Sequence, residues 1–162
     1  MKKLFLMLAL LMLISGTSLF SIGLGGAWTF GADNINAGGS GVFLISHDKI
    51  PGTMLGVSFR LGNNTSIGIS DDWWLYKTHL TGALHLAMGP GFYVTGDFNN
   101  NSSTFGFGGR VAIELRAFLM DPFELFLGYY PAVGVGGIGG GQEVTFPVWN
   151  VTQFGLGFRF WF

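Results

Sequence analysis

The side chains able to do chemistry are few: His47, His79 and His85, nine carboxylates, and no cysteine. Without cysteine there is no thiolate nucleophile, no disulfide framework, no thiolate-ligated zinc or iron–sulfur centre, and no lipid-anchoring N-terminal Cys. A Ser or Thr nucleophile would need a His base beside it. His47 and His79 fall in predicted turns, which leaves His85. No G-x-S-x-G elbow and no H-E-x-x-H pair occurs. The glycine run from Gly137 to Gly141 lacks the Lys-Ser/Thr and the helix that would complete a phosphate loop. The sequence therefore assigns no catalytic, metal or cofactor residues. A lipid-modifying enzyme built around His85 is the one catalytic alternative.

The charges are more informative than the nucleophiles. Charged residues make up only 10 % of the chain, against roughly 25 % in soluble domains. Apolar residues reach 49 %, with 28 Gly and 17 Phe. A net charge of −1 offers no basic field, so nucleic acid is not an expected partner. Scarce charge with abundant Gly and aromatics describes a chain whose outer surface meets lipid.

The elements that must position these charges follow a period of two. Phe154, Leu156, Phe158, Phe160 and Phe162 alternate with Gly155, Gly157, Arg159 and Trp161. Phe105, Phe107, Val111, Ile113 and Leu115 alternate with Gly106, Gly108, Arg110, Glu114 and Arg116. Ile22, Leu24, Trp28 and Phe30 alternate with Gly23, Gly25, Ala27 and Thr29. Large apolar residues on one face and small or polar ones on the other give the pattern of a transmembrane β-barrel. Turn residues divide the chain into eight strands, near 22–30, 39–46, 53–62, 65–76, 82–97, 104–118, 122–136 and 149–162. Strand 2 alternates poorly at Val42-Phe-Leu-Ile45, and Pro90 and Pro131 predict local bulges or bends. The fold class is all-β: an eight-stranded antiparallel up-and-down barrel in one domain, 22–162.

With the N-terminus periplasmic, the connections near 31–38, 63–64, 98–103 and 137–148 lie outside, and those near 47–52, 77–80 and 119–121 lie in the periplasm. Arg60, Arg110, Arg116 and Arg159 fall on inward parity, as do Glu114, Glu124, Asp72 and His85. Asp71 breaks the pattern, and a bulge near Asp71-Asp72 would turn it inward. Arg116, Arg159, Glu114 and Glu124, with Asp72 and His85, are expected to form one paired network in the periplasmic half. Arg110 and Arg60 are assigned to no partner. An eight-stranded barrel is just wide enough for side chains to fill. The expected role is therefore structural or surface-interacting, with the lumen filled by a charged plug. A narrow pore for small solutes or ions is the alternative. Trp28, Phe30, Trp73, Trp74, Tyr76 and Trp149 are expected at the two membrane interfaces, where amphipathic rings gather.

The first residues read as an export address. Lys2 and Lys3 precede an apolar run from Leu4 to Ile14, followed by Ser15, Gly16, Thr17 and Ser18. The run is too short to span a bilayer, and 1–21 matches a cleaved Sec-type signal peptide. Mass analysis of membrane-extracted protein is expected to find a chain starting at Ile22 or within about three residues of it. A chain that keeps Lys2 and Lys3 would contradict this reading.

The C-terminus adds a resemblance. Gly157-Phe-Arg-Phe160-Trp-Phe162 resembles the assembly signal of bacterial outer-membrane proteins, a Gly followed by spaced aromatics ending in Phe. Gly155 stands where that signal usually has a polar residue. The resemblance implies recognition by the barrel-assembly machinery through Gly157, Phe160 and Phe162, and residence in the outer membrane. Length and strand pattern resemble the small OmpA/OmpX-like barrels. Trp73-Trp-Leu-Tyr-Lys-Thr-His79, Gly89-Pro-Gly91 and the aromatic ending are also similar to uncharacterised spirochaetal barrels of that type, from about Trp73 to the end of the sequence. The bilayer is the expected partner, and an extracellular ligand would bind through the outer loops, which carry no motif for one.

Overall fold

In the structure, a computed structural model, residues 22–31, 39–47, 52–61, 65–99, 102–139, 141 and 143–162 are described. The signal segment 1–21, Lys49 and most of the connection near 31–38 lie outside them. The strands are β1 (Ile22–Phe30), β2 (Ser40–His47), β3 (Gly52–Arg60), β4 (Thr65–Trp74), β5 (Tyr76–Thr81), β6 (Leu84–Phe98), β7 (Ser103–Met120), β8 (Phe123–Tyr129), β9 (Ala132–Ile138), β10 (Thr145–Asn150) and β11 (Phe154–Trp161). Three breaks divide long strands in two: at Leu75, at Tyr130-Pro131, and over residues 151–153. β4–β5, β8–β9 and β10–β11 are thus each one wall strand, and eight antiparallel strands circle the molecule. The ring closes where β1 pairs with β11 from Gly23↔Trp161 to Phe30↔Phe154. Beyond Trp161, Ile22 and Phe162 exchange backbone hydrogen bonds of 2.9 and 3.2 Å. No described residue is helical.

The strands are staggered. Successive cross-strand partners run from Trp161 through Gly23, Ser46, Met54, Asp72, Gly91, Arg110 and Ala132 to Asn150. One circuit therefore ends higher on the wall strand where it began. Such stagger requires tilted strands and sets the barrel's width. Every residue on that circuit faces the lumen, and immediate neighbours on it lie close enough for their side chains to meet.

Alternation sorts the faces. Phe43, Ile45, Leu55, Val57, Phe107, Leu127, Leu156 and Phe158 stand exposed around the outside. Ser46, Met54, Asp72, Ala112, Glu114, Phe126 and Arg159 are buried within. Strand 2 obeys the same rule: Leu44 is buried while Phe43 and Ile45 are exposed, and its sequence hid this because both faces are apolar.

Four expectations are corrected. Lys77-Thr-His79 is not a turn, because β5 continues the wall strand and reverses at Gly82-Ala83. Gly82 has a φ of 55° there, which a residue without Cβ adopts freely. No bulge lies at Asp71-Asp72. The extra residue comes later, near Leu75, opposite Pro90, whose missing N–H cannot bond across to that strand. Asp71 therefore stays in register between Leu55 and Phe92 on the outward face. β6 itself passes through Pro90 without a break in its pairing to β7. Trp74 is not an interface aromatic: it shares the parity of Asp72 and is 1 % exposed inside the barrel. Adjacent tryptophans on one strand cannot both face outward, and Trp73 takes that side. Trp28, Phe30, Tyr76 and Trp149 are exposed. The connection expected over 137–148 is shorter, because β9 extends to Ile138 and β10 begins at Thr145.

Candidate functional site in the barrel lumen

Three guanidinium groups and three carboxylates meet inside the barrel. Glu114 on β7 is the hub. It accepts two hydrogen bonds from Arg159 Nη2, at 2.7 and 2.8 Å. Arg116 Nε donates to its Oε2 at 3.0 Å, and the Tyr130 hydroxyl to its Oε1 at 2.8 Å. Arg159 also donates through Nη1 to Glu124 and through Nη2 to Met54 Sδ. Glu124 accepts a further bond from Trp161 Nε1 at 3.0 Å and lies 3.9 Å from Arg116. One level away, Arg110 grips Asp72 with Nε and Nη2 and donates to Ser70 Oγ at 3.0 Å. Tyr130 joins the two groups, since Arg110 lies 4.9 Å from the centre of the ring whose hydroxyl bonds Glu114.

Burial makes this pairing obligatory. Asp72, Glu114, Glu124 and Arg159 have no solvent exposure, and an unpaired ion there would be far costlier than the pair. The three positive charges match the three negative ones. Aromatic faces cover the guanidinium planes: Trp74 lies 4.4 Å from Arg116, and Phe126 lies 4.0 Å from Arg159.

Glycine provides the room. A Cβ at Gly128 would overlap the Tyr130 hydroxyl, one at Gly91 would strike Asp72 Oδ1, and one at Gly157 would strike the Phe126 ring. The glycines that alternate with Phe along the strands are thus the small inward positions opposite large lumen residues. Asp72 and Arg110 meet across such a residue, since both are registered to Gly91.

The structure brings Arg116, Arg159, Glu114 and Glu124 into direct contact. It gives Asp72 to Arg110, a partner that parity placed inside but could not assign. Tyr130 shares the buried parity of Glu124, Phe126 and Gly128, so alternation places it in the lumen, but a neutral hydroxyl carries no charge to signal that it joins the ion pairs. His85 does not join the carboxylates: its ring packs at 4.9 Å on His79 and 5.2 Å on Phe118, toward the end that carries both termini. Arg60 lies toward the other end, 3.6 Å from Asp97. In the C-terminal motif Gly157 is buried inside, and Phe160 and Phe162 are exposed outside.

Distal to the cluster the lumen widens into a cavity of about 590 Å³. Met54, Arg110 and Tyr130 form its floor, and its walls carry the hydroxyls of Thr29, Ser40, Ser58, Ser66, Ser70 and Thr95.

No protein-family model matches the chain, and no curated protein matches it. Among solved structures it is similar to Neisserial surface protein A, with a TM-score of 0.54 and 14 % identity over 88 % of this chain and 97 % of that one. A major outer membrane protein from Thermus thermophilus aligns at a TM-score of 0.47 and 17 % identity, over 89 % of this chain and 100 % of the other. The Neisserial likeness concerns fold alone. Together with the closed ring and the sorted faces, it gives the chain the fold of the small outer-membrane barrels: eight antiparallel strands, apolar outside and polar within.

Proposed function

We propose that the chain is an integral β-barrel of a bacterial outer membrane with a structural or surface-interaction role, its lumen closed by the charged cluster. The observation that carries this reading is Arg159, wholly buried at the barrel centre and bonded to Glu114 and Glu124. A conducting lumen needs water around its charges, whereas here the charges pair with one another across the bore. The apolar exterior supports a bilayer as solvent, because only a closed ring satisfies every backbone group in lipid. The aromatic ending supports assembly by the barrel-assembly machinery, and the side distal to the termini would present any surface for an extracellular ligand.

Heat-modifiable gel migration tests the barrel. Unboiled protein from outer-membrane fractions should migrate apart from boiled protein, because a closed barrel resists detergent. A chain that stays soluble without detergent and shows one band at both temperatures would overturn the reading. The narrow-pore alternative has one observation in its favour: the cavity would be half of such a path, ending at Arg110 and Tyr130.

A further inference from the structure

The lining of the distal cavity matches one class of solute. Asn150 Oδ1 is a buried acceptor that takes no hydrogen bond from any described residue, and Asp97 Oδ1 has Arg60 Nη2 only at 3.6 Å, beyond hydrogen-bond distance. Both residues line the cavity, as do the hydroxyls of Ser58 and Thr95, which can donate as well as accept. Apolar side chains of β2, Val42 and Leu44, line it too. The guanidinium groups are already matched, Arg60 by Asp97 and Arg110 by Asp72. Glu143 also lines the cavity but is exposed at its rim, where water screens it, so inside the cavity neither an anion nor a cation meets an unopposed charge. A buried acceptor without a hydrogen bond calls for a donor, and a site built to hydrogen-bond discriminates strongly against solutes that leave it unpaired. A volume of about 590 Å³ suits a small ligand.

We propose that this cavity binds a small neutral polyhydroxylated solute, a mono- or disaccharide, whose hydroxyls meet the Ser, Thr, Asp and Asn groups and whose C–H face lies on Val42 and Leu44. A sugar carries donors, acceptors and an apolar face without net charge, which is the combination the lining presents. The proposal rests on the charged cluster as a closed floor. The same chemistry could arrive as a free sugar or as the headgroup of a glycolipid reaching over the rim.

Saturation-transfer NMR on the folded full-length mature protein, in a detergent without a sugar headgroup, tests it with glucose, gluconate and glucosamine. Glucose should show saturable transfer, with both charged analogues at least fivefold weaker. The double variant Thr95→Val with Asn150→Leu should weaken glucose at least fivefold while keeping the heat-modifiable band; if it does not fold, Ser58→Ala serves instead. A glucosyl lipid added to the micelles displaces glucose if headgroups are the source and leaves it bound if free sugar is. Absence of saturable transfer, equal transfer in a folded variant, or charged analogues binding as well as glucose would each overturn the site. Glucose binding by a barrel that conducts strongly would remove the closed floor and keep the site. A silent barrel that binds no glucose would remove the site and keep the floor.

Discussion

Replacing Glu114 with Ala is expected to destabilise the folded barrel by about 3–5 kcal/mol, the usual loss when one partner leaves a buried ion network. Glu114 accepts from Arg159, Arg116 and Tyr130, so its removal leaves two guanidinium groups short of an acceptor in a site without solvent. Arg159 keeps Glu124, which prevents complete collapse of the pairing. Glu114→Gln, which retains one carbonyl acceptor, should cost less than Ala. Urea unfolding in lipid vesicles measures the difference, read as a shift in midpoint at constant slope. A loss below about 1 kcal/mol for Glu114→Ala would mean that water already serves the arginines, and the closed cluster would be wrong.

The second large effect separates the two faces with one substitution. Gly157→Val should abolish assembly of folded barrel, whereas Gly109→Val should leave it nearly unchanged. At Gly157 the added carbon meets the Phe126 ring, the Gly26 carbonyl and the Ala27 Cβ all at once. Two of these neighbours belong to β1, so the clash falls on the seam that closes the ring. The Phe126 ring can turn aside, but the Gly26 carbonyl and the Ala27 Cβ are fixed by the β1 backbone and yield only by opening hydrogen bonds, each worth several kcal/mol in lipid. Gly109 faces outward, and its nearest neighbour to an added Cβ is the Gly91 carbonyl oxygen at 3.9 Å. Folded yield by heat-modifiable migration reports both variants. Equal yields would contradict the assignment of inward and outward positions.

The inside–outside assignment is legible in the sequence because strands of this fold write their faces directly into residue order. Arg159 and Glu114 can be placed in the lumen from neighbours such as Phe158 and Leu115 alone. Pairing is harder, because parity gives the face and not the height. Asp72 and Arg110 meet only because the barrel's stagger brings both to the level of Gly91, and stagger depends on long-range register. Trp74 misleads for a related reason: its aromatic character suggests a headgroup position, while its parity with Asp72 puts it inside. Charge alone points to a bulge near Asp71. The irregularity falls near Leu75 instead, where Pro90 removes a donor from the neighbouring strand, and Asp71 remains on the apolar face. A missing backbone N–H on the adjacent strand thus outweighs the charge of a single side chain in deciding where the register shifts.

Conductance in planar bilayers tests the closed lumen most directly. The wild-type barrel, inserted singly in about 1 M salt, where bulk screening is nearly complete, should give no steady single-channel current. On the proposed reading, Arg159, Glu114 and Glu124, paired with one another and without solvent exposure, close the bore. Long, steady openings of large amplitude from the unmodified protein would contradict the closed lumen.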